Sequence, residues 1–231
     1  LNYSKEKILE MSTGAIFHDI GKMEYPESLC RKGCYTPSEM EQIKQHPLLG
    51  VEILKHRCKN VSPVSLAIVG QHHERTNGSG YPCGLMESQI DEMAILCAVC
   101  DVYDNLVSDK ENRSACIPQE ALALIYQVAG DEFPRKMVEK FTKLLGIYPV
   151  GSFVRLESGE MGIVTKTNRT ALLFPQILIL FDPVGERLKT PFLRDVSKTN
   201  EYNLNHRINC SLDPRLFKID PIGILVQSLS V

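Results

Sequence analysis

The sequence predicts a mainly α fold, a helical bundle over residues 1–147, followed by a small β-barrel-like domain over residues 148–231. Three observations carry this. Apolar positions recur at helical spacing in successive segments up to about Gly146. Capping residues and prolines mark where these segments begin. After Tyr148-Pro149 the texture changes to short β-rich runs separated by Gly, Asn and Asp-Pro turns.

In chain order, the first helix is expected from Ser4 to about Phe17, with Ile8, Leu9, Met11, Ala15 and Ile16 as its apolar face, and it runs into His18-Asp19. Thr36-Pro37-Ser38-Glu39 is a helix start, with Thr36 as cap and Glu39 able to bond back to it. Met40, Ile43, Val51 and Leu54 follow as core positions. His46 stands on this helix directly before Pro47, which should kink it or force a local adjustment. Pro63 opens an apolar helix that delivers His72 and His73 at its end, and the loop Asn77-Gly78-Ser79-Gly80-Tyr81-Pro82 comes next. Residues from Ile90 to Leu106 read as a largely buried helix carrying Asp101 and Asp104, and a carboxylate in such a place needs a partner. Two more helices are expected, from Pro118 to near Gly130 and from Pro134 to Gly146. The β-rich runs are Ser152 to Leu156, Met161 to Thr167 and Gln176 to Phe181.

Composition narrows the function classes. With 43% hydrophobic and 23% charged residues, the chain of 231 residues is globular rather than disordered or fibrous. A net charge of −2 provides no field to hold bulk nucleic acid or an anionic membrane. No apolar run approaches a membrane span and the first twenty residues lack the order of a signal peptide, so a cytoplasmic location is expected. The eight cysteines are scattered and are expected to be reduced, buried thiols. Cys97-x-x-Cys100 has no second pair to complete a zinc site, and Cys30 and Cys34 flank Arg31-Lys32-Gly33 in a loop.

The chemistry concentrates in His18, Asp19, His46, His72, His73 and Asp101, which four helical elements of a bundle can point to one centre. Imidazole and carboxylate donors without cysteine suit iron, manganese, nickel, cobalt or zinc, and Asp19 can bridge two ions. Paired cations lower the pKa of a bridging water and stabilise charge on phosphoryl oxygens, which suits phosphodiester hydrolysis. Lys22 adds a proton donor or a further positive charge. Singly, each histidine is more often a packing or surface residue; the adjacent His-Asp and His-His pairs with the lysine and glycine-rich loop set this ensemble apart. His56 stands outside the set, and the isolated His206 reads as a surface or packing residue.

His18-Asp19-Ile20-Gly21-Lys22 and the run His72-His73-Glu74-Arg75-Thr76-Asn77-Gly78-Ser79-Gly80-Tyr81-Pro82-Cys83-Gly84-Leu85 resemble the two signatures of the HD-GYP family. The spacings from His18 to His46 and from His73 to Asp101 are also similar to that family's. The resemblance covers roughly Ser4 to Gly146 and implies an HD-type helical bundle. It implies that His18, Asp19, His46, His72, His73 and Asp101 are metal ligands with Asp19 bridging, and that Asp19 and Lys22 are catalytic, Lys22 beside the scissile phosphate. Gly80, Tyr81 and Pro82 would border the substrate pocket, with Tyr81 either stacking on a guanine or fixing the loop. After the aspartate matching Asp101 the family usually has a second aspartate, Ala-Leu and two basic residues that hold phosphates. This chain has Asp104, Asn105-Leu106, Lys110 and Arg113, although Asp109-Lys110-Glu111-Asn112-Arg113 also reads as a solvated charge run.

The implied activity is metal-dependent hydrolysis of a cyclic dinucleotide, cyclic di-GMP or a related one, to a linear dinucleotide, with further cleavage to mononucleotides left open. The implied cofactors are two or more divalent transition metal ions, iron or manganese first and nickel, cobalt or zinc after them. The alternative is a weakly active or inactive module that binds and senses the same nucleotide. A generic phosphohydrolase acting on mononucleotides leaves the His-His pair and the Gly-Tyr-Pro loop unexplained. Two departures stand out. Asn77 replaces a frequent aspartate, and the family takes another ligand histidine, in some members also a glutamate, from a helix well upstream, whereas only Leu1 to Phe17 precede His18 here. A fragment that once carried an upstream sensory or receiver region is expected, the alternative being that something else fills one metal position. The β domain is expected to pack on the catalytic core, to form a homodimer or to contact a partner.

Overall fold

In the computed structural model the described residues are 3–30, 34–111, 113–196 and 204–229; Arg31, Lys32, Gly33 and Asn112, named above, lie outside them. The chain divides into two compact units, one of Leu1–Ala115 with Ile125–Val138, the other of Cys116–Leu124 with Glu139–Val231.

The first unit is helical. Helix α1 (Lys5–Ile16) is capped by Ser4, whose hydroxyl accepts from the Lys7 N–H. Beyond it the chain tightens into a 3₁₀ turn over Ile20–Glu24, then α2 (Glu27–Cys30) and α3 (Pro37–Ile43). The capping box expected at Thr36 and Glu39 is present. Helix α4 (His46–Arg57) starts afresh, so the one helix expected to kink or adjust locally at Pro47 is two helices. Pro47 cannot donate into a continuing helix and sits in the first turn of the new one, where no donor is needed. Ser62 caps α5 (Pro63–Gln71), and Asp91 caps α6 (Glu92–Val107).

Helix α5 is the axis of this unit and packs against α1, α4 and α6. Its Ile68 and Val69 are fully buried, together with Ala94 and Val99 of α6. At about 1.5–3 kcal/mol per large aliphatic side chain, such burial anchors α5 in the core. Ile43 and Leu54 join the core as expected, but Met40 is exposed. So are Leu9 and Ile16, because α1 meets α5 through Gly14, where a Cβ would stand 2.9 Å from the Cβ of Ile68.

Helices α7 (Pro118–Gln127) and α8 (Arg135–Leu145) follow. The second unit contains one antiparallel sheet in the order β4-β3-β2-β1-β5. Its strands are β1 (Phe153–Leu156), β2 (Met161–Lys166), β3 (Gln176–Phe181), β4 (Arg187–Asp195) and β5 (Ile208–Leu212). One buried cluster holds Val154, Leu156, Val164, Ile177 and Ile179; a second holds Phe153, Met161, Ile163, Leu180 and Phe181. Ser211 on β5 donates to the Gln119 side chain at 2.6 Å, which ties the start of α7 to this sheet. The last helix, α9 (Pro221–Leu229), lay outside the sequence expectations, as did β4 and β5. No described helix is long and apolar enough to cross a membrane.

Candidate metal centre

Three imidazoles are aimed by the backbone that carries them. His18 follows the end of α1, and its Nδ1 lies 2.7 Å from the carbonyl oxygen of Ala15. At the start of α4, His46 Nδ1 lies 2.6 Å from the carbonyl of Ile43. His72, capping the end of α5, has Nδ1 3.0 Å from the carbonyl of Val69. Each contact reaches three residues back, a spacing that terminal helical turns supply. A carbonyl can only accept, so each Nδ1 carries the proton and each Nε2 presents a lone pair inward. His46 and His72 are fully buried, with their Nε2 atoms only 3.2 Å apart.

Asp19 stands between these rings. Its Oδ1 is 3.1 Å from His46 Nε2 and 3.7 Å from His72 Nε2; its Oδ2 is 3.5 Å from His18 Nε2 and 2.6 Å from Lys22 Nζ. Oδ1 is buried without a properly oriented hydrogen bond. A buried carboxylate oxygen facing imidazole lone pairs is costly unless a cation lies among them. The close approach depends on Gly21, where a Cβ would fall 1.9 Å from the carbonyl oxygen of His46. One donor atom each from Asp19, His46, His72 and His73 fall within 4.8 Å of one another, a donor set that fits a divalent metal ion. His18 and Asp101 are not in that group of four but adjoin it, with His18 Nε2 3.7 Å from Asp101 Oδ1.

The electrostatics suit ligands. Burial opposes the Asp19 charge, yet His46, His72 and Lys22 outweigh it and hold the carboxyl well below the usual range. Asp101 is also depressed, His18 overcoming the effect of burial. Burial pushes His72 and His73 down, the latter strongly, which keeps both rings neutral and able to bind metal at neutral pH. The neighbouring Asp101 carboxylate raises His18 against the opposing effect of burial.

The glycine-rich loop is built around Glu74, a residue that sequence reasoning quoted only as a motif letter. Its carboxylate is buried, 3% exposed, and accepts from the N–H groups of Cys83 (2.7 Å) and Leu85 (2.9 Å). Gly80 lies so close beneath that a Cβ there would stand 2.5 Å from the Cα of Glu74. The Tyr81 N–H donates to the carbonyl of His73, and the Tyr81 ring stacks on His73 at 4.5 Å and 26°; the next peptide, Tyr81-Pro82, is cis. Thr76 fastens the loop on its other side by donating from its hydroxyl to the carbonyl of Asp131 at 2.7 Å.

Other expected residues lie further out. Asp104 is exposed on α6. Lys110 donates to the Asn105 side chain at 2.5 Å, and Arg113 donates to the Asn105 backbone carbonyl. His56 is exposed near the end of α4. The eight cysteines are free, as expected, but they are not buried as a set: Cys34, Cys58, Cys83 and Cys100 are exposed. Cys34, Cys58 and Cys83 fall in turns outside the helices and strands, where no core is available to take them.

Comparison with known proteins agrees with this geometry. The family model for the HD domain matches residues 1–136, and the chain belongs to that family. Within it, the His72-His73 pair and the Gly80-Tyr81-Pro82 loop make this an HD-GYP domain. The chain is 36% identical over 190 residues to a cyclic di-GMP phosphodiesterase of Pseudomonas aeruginosa, a match covering 82% of this chain and 45% of that one. It is 34% identical over 145 residues to a cyclic di-GMP phosphodiesterase of Thermotoga maritima, covering 62% of this chain and 39% of the relative. It therefore spans less than half the length of these relatives. Among solved structures, an HDG"Y"P protein from Bdellovibrio bacteriovorus shares the fold, with a TM-score of 0.51 and 24% identity over 62% of this chain and 45% of that one.

Proposed function

We propose that the chain is the catalytic part of a metal-dependent phosphodiesterase that hydrolyses a cyclic dinucleotide, cyclic di-GMP or 3'3'-cGAMP, to its linear form. The observation that carries this is the two-sided Asp19 carboxylate, one oxygen toward His46 and His72 and the other toward His18 and Lys22. That arrangement supports two cation positions sharing Asp19. His46, His72 and His73 would complete one, and His18 and Asp101 the other, with iron or manganese favoured by the nitrogen and oxygen donors. Divalent ions held there activate water and neutralise phosphoryl charge.

The protein's own groups do the rest. Lys22 places an ammonium at the edge of the centre to meet the phosphate that is cut or to protonate the departing oxygen. Lys110 and Arg113 supply positive charge for the ring's second phosphate, Asp104 on α6 would also face the substrate, and Tyr81 with Gly80 and Pro82 borders the bases. The relatives named as cyclic di-GMP phosphodiesterases support this substrate class, as does a 3'3'-cGAMP-specific phosphodiesterase of Vibrio cholerae that is 30% identical over 123 residues, covering 53% of this chain and 24% of the relative.

The deciding experiment incubates iron- or manganese-replete protein with each cyclic dinucleotide and follows products by chromatography and mass spectrometry. Linear dinucleotide is the expected product, and it should disappear when a chelator is added. Tight nucleotide binding without turnover would reassign the chain as a sensor module.

A further inference from the structure

Asn105 lies one helical turn beyond Asp101, at the end of α6. Its amide nitrogen donates to Asp101 Oδ1 at 2.8 Å and to the Asp101 backbone carbonyl at 2.9 Å. Its amide oxygen accepts from Lys110 Nζ at 2.5 Å. A carboxylate takes only donors and an ammonium offers only donors, so a single orientation of the amide satisfies both neighbours. Asp101 Oδ1, the oxygen that Asn105 holds, is also the one facing His18 Nε2. Arg113, donating to the backbone carbonyl of Asn105, secures the same turn.

We propose that Asn105 is a positioning residue that couples Lys110 to the Asp101 carboxylate. Its amide fixes the direction of Oδ1, and the Lys110 ammonium polarises that amide and strengthens its bond to the carboxylate. The metal affinity of the centre then depends on a side chain that does not touch it. An anionic phosphate ester drawing Lys110 away would loosen the Asp101 end, which links substrate binding to the ligand geometry. The proposal rests on the reading of Asp101 as a metal ligand.

The test is a double-mutant cycle on the full chain, with Mn²⁺ affinity measured by competition against a fluorescent chelator and no substrate present. Asn105→Ala should weaken binding about tenfold. Lys110→Met should weaken it about threefold in the native background and add nothing once Asn105 is alanine. Equal Lys110→Met losses in both backgrounds, or an Asn105→Ala protein that melts earlier while binding Mn²⁺ as before, would overturn the coupling. Should Asn105→Ala fail to fold, unchanged Mn²⁺ affinity in Lys110→Met, at an exposed side chain, overturns it equally. A native chain that binds no Mn²⁺ overturns the metal reading itself, and the coupling with it.

Discussion

The helical and the sheet-containing units use their interiors differently. Buried polar side chains include His46, Ser65, His72, Glu74 and Thr76 in the first, against Ser152 in the second. The sheet's clusters are apolar apart from the Tyr148 hydroxyl. Polar groups taken from water cost stability unless each finds a partner, and in the helical unit nearly all do. Among its described residues the exceptions are the Tyr3 hydroxyl and Asp19 Oδ1, the latter at the centre of the imidazoles. Interior polarity is thus concentrated in the unit that carries the histidine and aspartate cluster, while the sheet's clusters are almost wholly apolar.

Substitutions should separate the two. The largest effect is expected from Asp19→Ala, which removes the carboxylate that faces His46 and His72 with one oxygen and His18 and Lys22 with the other: bound metal should vanish from elemental analysis and turnover should fall by at least about 1,000-fold. Ile179→Ala, in the sheet core, should cost about 2–5 kcal/mol in denaturant unfolding and leave metal stoichiometry of the folded protein intact. A metal-depleted Ile179→Ala protein would break the contrast. Glu74→Gln keeps the size of the side chain but removes its charge and one of its two acceptor positions; a loss of about 1–3 kcal/mol is expected, read as a raised KM with metal content retained. The smallest effect is chemical. Burial pushes the Cys97 thiol up to about 12, so at pH 8 almost no thiolate forms, and mass spectrometry should find it unalkylated by iodoacetamide while exposed Cys58 is modified.

Legibility in the sequence followed the range of the interactions. Ser4, Thr36 with Glu39, Ser62 and Asp91 cap helices through bonds spanning two or three residues, and three of these four starts were expected to within a residue. The six residues assigned to the centre carry chemistry in their types and spacing, and the fold brings them together. Strand β4 escaped because most of its residues are exposed, so no apolar alternation marks it. Glu74 was hidden because its partners, Cys83 and Leu85, are reached only once the loop has turned back. Asn105 did carry a signal: it follows Asp101 at the four-residue interval that brings side chains on one helix face together.

The aim of His18, His46 and His72 is fixed by main-chain carbonyls just behind them. Such an anchor asks nothing of neighbouring side chains. The side chains around the centre can therefore change, residue by residue, without disturbing the direction in which these rings point.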